Sequence, residues 1–157
     1  MKIAYISAPF IGDGTRESIK KNIEEARKYA VALASKKVGV FCPNIYDLDP
    51  NISDLTERQR YFYELHSEFL INSKALIAIP GWEESFGAKH EIQLAEVLGL
   101  PIFYPKSVSD EDLKELIDWY YQSEEPEHRT KNTNNINWDK VIDIRRAMSK
   151  YIFQKTA

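Results

Sequence analysis

Ala75-Leu76-Ile77-Ala78-Ile79 is an unbroken apolar run stopped by Pro80-Gly81-Trp82. Such a run is expected of a central parallel strand that is covered on both faces. The rest of the first 105 residues fits around it. Ile3-Ala4-Tyr5-Ile6 is β-prone and closed by Pro9, and Val38-Gly39-Val40-Phe41 is stopped by Cys42-Pro43-Asn44. Pro101-Ile102-Phe103-Tyr104 is a fourth strand, cut by Pro105. Between these runs lie helical patterns. Ile19, Ile23, Ala26, Ala30 and Leu33 recur at amphipathic spacing over Arg16 to Ser35. Leu55, Phe62, Leu65 and Phe69 mark a second stripe, with Ser53 as its N-cap after a polar loop over 46–53. A third helix runs from near Gly87 to Leu98, ended by Gly99.

The order βαβαβαβ predicts an α/β chain with a parallel sheet and right-handed crossovers. The expected fold is a Rossmann-like (flavodoxin-like) three-layer sandwich with a four- to five-stranded sheet over residues 1–105. Residues 106–157 are predicted to form a helical extension, with helices over Asp110 to Tyr121 and from Trp138, capped by Asn137, to about Phe153. Trp119, Tyr120, Tyr121, Trp138 and Tyr151 are too many aromatics for a loose tail, so the extension is expected to pack on the core or on a partner subunit.

Bulk properties narrow the class of function. A chain of 157 residues, 43% hydrophobic and 29% charged, is an ordinary globular domain. A net charge of −3 argues against a binder of nucleic-acid polymers, which needs a basic footprint. The single Cys42 cannot form an internal disulfide, the opening Met1 to Ile6 does not read as a signal peptide, and no apolar run spans a membrane. A cytoplasmic protein without membrane contact is expected. His66, His90, His128 and Cys42 have no metal-site spacing, and neither metal nor cofactor is implied. Asp47 and Asp49 read as turn residues.

In open parallel sheets, ligands sit beyond the carboxyl ends of the strands. Two loops therefore matter. The first, Tyr5 to Arg16, carries Gly12 and Gly14 but is neither a dinucleotide fingerprint nor a Walker loop. It serves either as a plain turn or as an anion cradle, with Arg16 as a phosphate ligand or merely a solvent-facing side chain. The second is Gly81-Trp82-Glu83-Glu84-Ser85-Phe86-Gly87-Ala88-Lys89-His90-Glu91. Ser85 and Gly87 lie where a helix opens and can hold an anion. Glu91, about a turn further on beside Ala88 and Ala95, puts a carboxylate at a core edge, which costs free energy unless it has partners. Ionised and partly desolvated, it suits nucleophilic attack. The plainer alternative is a glutamate that serves only the helix dipole. Trp82 either stacks on a base or packs its own loop.

Tyr5-Ile6-Ser7-Ala8-Pro9-Phe10 is similar to the Tyr-(Leu/Ile)-Ala-Gly-Pro-Phe opening of the nucleoside 2-deoxyribosyltransferases. Ser85 to Glu91 resembles the Ser-x-Gly-x-x-x-Glu segment of the related deoxyribonucleoside 5′-monophosphate N-glycosidases. Gly99-Leu100-Pro101-Ile102 resembles the Gly-(Lys/Leu)-Pro-(Val/Ile) segment after their catalytic helix. Gly81 to Glu91 also fits Gly-Trp-x-x-Ser-x-Gly-Ala-x-x-Glu of a partly phage-borne branch. The resemblance covers about residues 1–105. It implies that Glu91 attacks C1′ of a deoxyribosyl group, that Tyr5 orients the carboxylate, and that Ser85, Gly87 and Arg16 hold a 5′-phosphate. Ser7, Pro9, Phe10, Gly12, Gly14, Asn44 and Trp82 are then expected among the substrate-binding residues. It further implies a nucleoside or nucleotide ligand and a homo-oligomer, dimer or higher, in which neighbouring subunits complete the site.

One departure stands out. The family's second carboxylate, an Asp before the third strand, has no counterpart; its place falls near His66, with Glu64 and Glu68 beside it. His66 or Glu68 either replaces that acid or decorates the surface. A non-catalytic module that binds or sequesters a nucleotide is the rival reading.

Overall fold

Alternation along the first strand sets up two cores, one on each side of a single sheet. The structure is a computed structural model that describes residues 1–46, 55–122 and 135–156. Its strands are β1 (Ala4–Ser7), β2 (Val40–Phe41), β3 (Ala75–Ala78) and β4 (Ile102–Phe103), all parallel and in the order β2-β1-β3-β4. Its helices are α1 (Arg16–Ser35), α2 (Leu55–Asn72), α3 (Phe86–Val97), α4 (Asp110–Tyr121) and α5 (Trp138–Thr156). The chain is thus an α/β, Rossmann-like three-layer sandwich with a four-stranded parallel sheet and C-terminal helices. The Ser53 cap, Asp47, Asp49, His128 and most of the polar stretch before α5 lie outside the described residues.

Ala4 and Ile6 join Ala75, Ile77, Ile79 and Phe103 under α1 and α4, where Ala26, Leu33, Leu113 and Leu116 complete one core. Tyr5, Leu76 and Ala78 face the other way, onto Leu70 of α2, Ile92, Leu94 and Ala95 of α3, and Val141 of α5. Side chains two apart on a strand share a face. Ser7 therefore points to the same side as Tyr5, toward α3. That one step of parity positions the site.

The extension packs on its own chain. Tyr120 accepts a hydrogen bond from the Gly39 amide at 2.9 Å, and Lys2 sits 4.9 Å from the centre of the Trp119 ring. Asn137 caps α5 by accepting from the Lys140 amide at 3.0 Å, as its position predicts. Tyr151 of α5 then stacks on Phe86 at the start of α3, with ring centres 3.5 Å apart. Among the described residues no helix is long and apolar enough to cross a membrane.

Candidate functional site

β1 and β3 are neighbours, register Ser7 with Ala78, and the connections leave them in opposite directions across the sheet. The carboxyl ends of such a pair open a crevice. Here the loops after β1 and β3 meet: the Ile79 amide donates to the Ser7 carbonyl at 3.1 Å. Gly81 adopts φ +91°, a left-handed conformation that favours glycine, and a Cβ there would lie 3.1 Å from Pro9.

Glu91 projects from α3 to this point. The Tyr5 hydroxyl donates to its Oε1 at 2.6 Å and the Ser7 hydroxyl to its Oε2 at 2.5 Å. Tyr5 and Ser7 are both fully buried, whereas Glu91 keeps partial exposure. The carboxylate is therefore anchored through both oxygens by two side chains of β1. Desolvation pushes its pKa from the ordinary 4.5 up to about 7, against the pull of the Ser7 and Tyr5 hydrogen bonds. The sequence leads one to expect a plainly ionised group. Burial outweighs the hydrogen bonds, and the carboxyl instead divides between its acid and its anion near neutral pH. Burial, then the Glu91 charge, raises the Tyr5 phenol well above its usual range, so it remains a donor throughout.

Other expected site residues are placed differently. Ser7 is not free to hold substrate, because its hydroxyl is committed to Glu91. His66 packs beside the rings of Phe41 and Phe62, and burial lowers its pKa to about 4. It is a neutral imidazole at pH 7 and holds no proton ready for a leaving base. Glu68 lies on the surface and pairs with Arg145 of α5 at 2.9 Å. Ser85 is spent partly on capping α3, accepting from the Ala88 amide at 3.2 Å. Gly87 faces Met148, whose methyl carbon would be 3.8 Å from a Cβ. Trp82 takes the packing role, with its ring 5.4 Å from that of Tyr104 and against the second core. Asn44 is buried and donates to the Pro9 carbonyl at 2.7 Å, so it clamps the first loop. Gly12 and Gly14 take positive φ in that loop, Phe10 is exposed, and Arg16 stands exposed at the start of α1 without an ion pair among the described residues.

The structure also adds a residue. Tyr63 is half-buried on α2; burial raises its pKa most, against a hydrogen bond with Ser67, and the Glu91 charge adds a smaller rise that Arg145 opposes. Its position, three before His66, gives no sequence signal, since it reads as one more apolar residue of the helix. Cys42 is buried and its thiol is pushed up to about 11, which makes it unreactive. No group of three or more metal-ligating side chains occurs among the described residues.

Compared with known proteins, residues 2–104 match a family described as a domain of unknown function (DUF4406). No curated protein matches.

Proposed function

The chain belongs to the DUF4406 family, and from the geometry of its site we propose that it cleaves or transfers the N-glycosidic bond of a deoxynucleoside or its 5′-monophosphate through Glu91. The observation that carries this reading is a glutamate carboxyl group fixed through both oxygens by two buried hydroxyls of β1, beside the point where the connections of β1 and β3 diverge. Any buried carboxyl needs such partners; what favours chemistry is its place at the carboxyl ends of strands whose connections diverge.

In the reaction, a Glu91 carboxylate oxygen bonds to C1′ of the sugar as the bond from C1′ to the base nitrogen breaks. The base leaves with the bonding electrons and takes up a proton from water. Oxocarbenium character builds at C1′, and the carboxylate beneath it stabilises that charge. Water, or the nitrogen of a second base, then attacks C1′ as the bond from C1′ to the Glu91 oxygen breaks and gives up a proton to solvent, which frees the sugar or a new nucleoside and regenerates the carboxylate with overall retention. Tyr5 and Ser7 fix the direction of the carboxylate and lower its pKa, which keeps part of it ionised at neutral pH. The resemblance of Tyr5 to Phe10 and of Ser85 to Glu91 to the deoxyribosyltransferase group supports the same chemistry, and a homo-oligomer is part of this proposal. Incubation with deoxynucleosides and their monophosphates is expected to yield free base, and Glu91→Ala to abolish the release with the fold intact. Tight ligand binding without any base release would contradict the proposal.

A further inference from the structure

We infer that the groove between α2 and α5 is a phosphate-binding subsite adjoining the Glu91 site, with Arg146 and Ser149 as its ligands. The groove has a volume of about 350 Å³ and is lined by Tyr63, Glu64, Ile142, Arg145, Arg146 and Ser149. That is within the size range of small-molecule sites. Its α5 wall comes from residues three to four apart, which share one helix face.

Charge accounting around the groove leaves one cation over. Glu64 pairs with Arg60 at 3.2 Å and Glu68 with Arg145 at 2.9 Å. Arg146 has no carboxylate partner among the described residues and is exposed. A guanidinium presents a planar fork of donors matched to phosphate oxygens, and a serine hydroxyl beside it adds a neutral donor. Tyr63 lines this groove from α2, and both α2 and α5 pack on α3, the helix that carries Glu91. The first turn of α3, where a phosphate is expected from the sequence, is walled by α5 at Met148 and Tyr151. A phosphate monoester on the sugar thus finds its cation on α5. The sugar's place beside Glu91 rests on the function proposed above; the anion site does not.

Calorimetric titration of the full chain with inorganic phosphate, a deoxynucleoside and its 5′-monophosphate reads the subsite without turnover. Phosphate is expected to bind and to be displaced by the monophosphate, which binds about tenfold or more tightly than the nucleoside. Arg146→Gln should bring that ratio close to one, Arg146→Lys should keep part of it, and Ser149→Ala should reduce it a few-fold, with thermal midpoints near wild type. An unchanged ratio in folded Arg146→Gln, or no phosphate binding, overturns the subsite. Phosphate that stays bound alongside the monophosphate overturns its place next to Glu91. If phosphate binding depends on Arg146 yet base is never released, the subsite stands and the glycosidic reading fails.

Discussion

Two physical effects oppose each other at Glu91. Hydrogen bonds from Tyr5 and Ser7 favour the anion, and desolvation favours the acid more strongly. The folded chain therefore binds this proton more tightly than the unfolded chain does. Below pH 4.5 both forms are protonated and the residue makes no difference. As pH rises from 4.5 to about 7 the unfolded chain ionises first, so stability falls, and the penalty is constant above that window. Glu91→Gln should accordingly match wild type at pH 4 and exceed it at pH 8 by on the order of 1–3 kcal/mol, a range that allows for partial solvent access. Denaturant unfolding at the two pH values checks this; an equal difference at both would refute it. Base release should rise with pH through about 7, the point at which the attacking anion forms. Tyr5→Phe and Ser7→Ala each remove a donor to that anion, so each should shift this limb to higher pH, measurable in the rate profile. Glu91 is legible in the sequence as a charge at a core edge, and Tyr5 only through the resemblance of the segment Tyr5 to Phe10. The second anchor is not: Ser7 reads as a loop residue until strand parity puts it beside Tyr5.

At the scale of elements, helices are more legible in the sequence than strands. α1 occupies the span its apolar spacing predicts and α4 the span expected of it, because helix hydrogen bonds are local. β2 and β4 are only two residues each, shorter than their apolar runs. Both are edge strands with one neighbour, and how far they pair depends on a partner distant in the chain. The loops that carry the site are fixed by contacts no local pattern encodes, namely Asn44 on the Pro9 carbonyl and Gly81 against Pro9. Asn44→Ala leaves that carbonyl without its donor and should cost about 1–2 kcal/mol. Gly81→Ala forces a side chain into positive φ beside Pro9 and should cost about 1–3 kcal/mol. Both costs are read from urea midpoints. A free energy unchanged within error in both variants would show that the two loops are not clamped.

At the scale of the molecule, the C-terminal extension closes the second core of its own chain. Val141 is buried against the layer that holds Glu91, and Tyr151 lies on Phe86. The aromatic content of the extension requires that it pack but does not say where, since docking of α5 on α2 and α3 is a long-range choice. Val141→Ala should destabilise the whole fold by roughly 1–3 kcal/mol, and a helix that rested only on a partner would leave the monomer unaffected. The proposed function rests on one carboxyl group. The most direct test of its role uses a deoxynucleoside, or its monophosphate, with fluorine beside C1′ to slow breakdown of a glycosyl ester. After incubation, intact mass and peptide mapping should find one sugar adduct per chain, located on Glu91 and absent from Glu91→Gln. Release of base with no adduct at Glu91, or with the adduct on another residue, would contradict a nucleophilic role for Glu91.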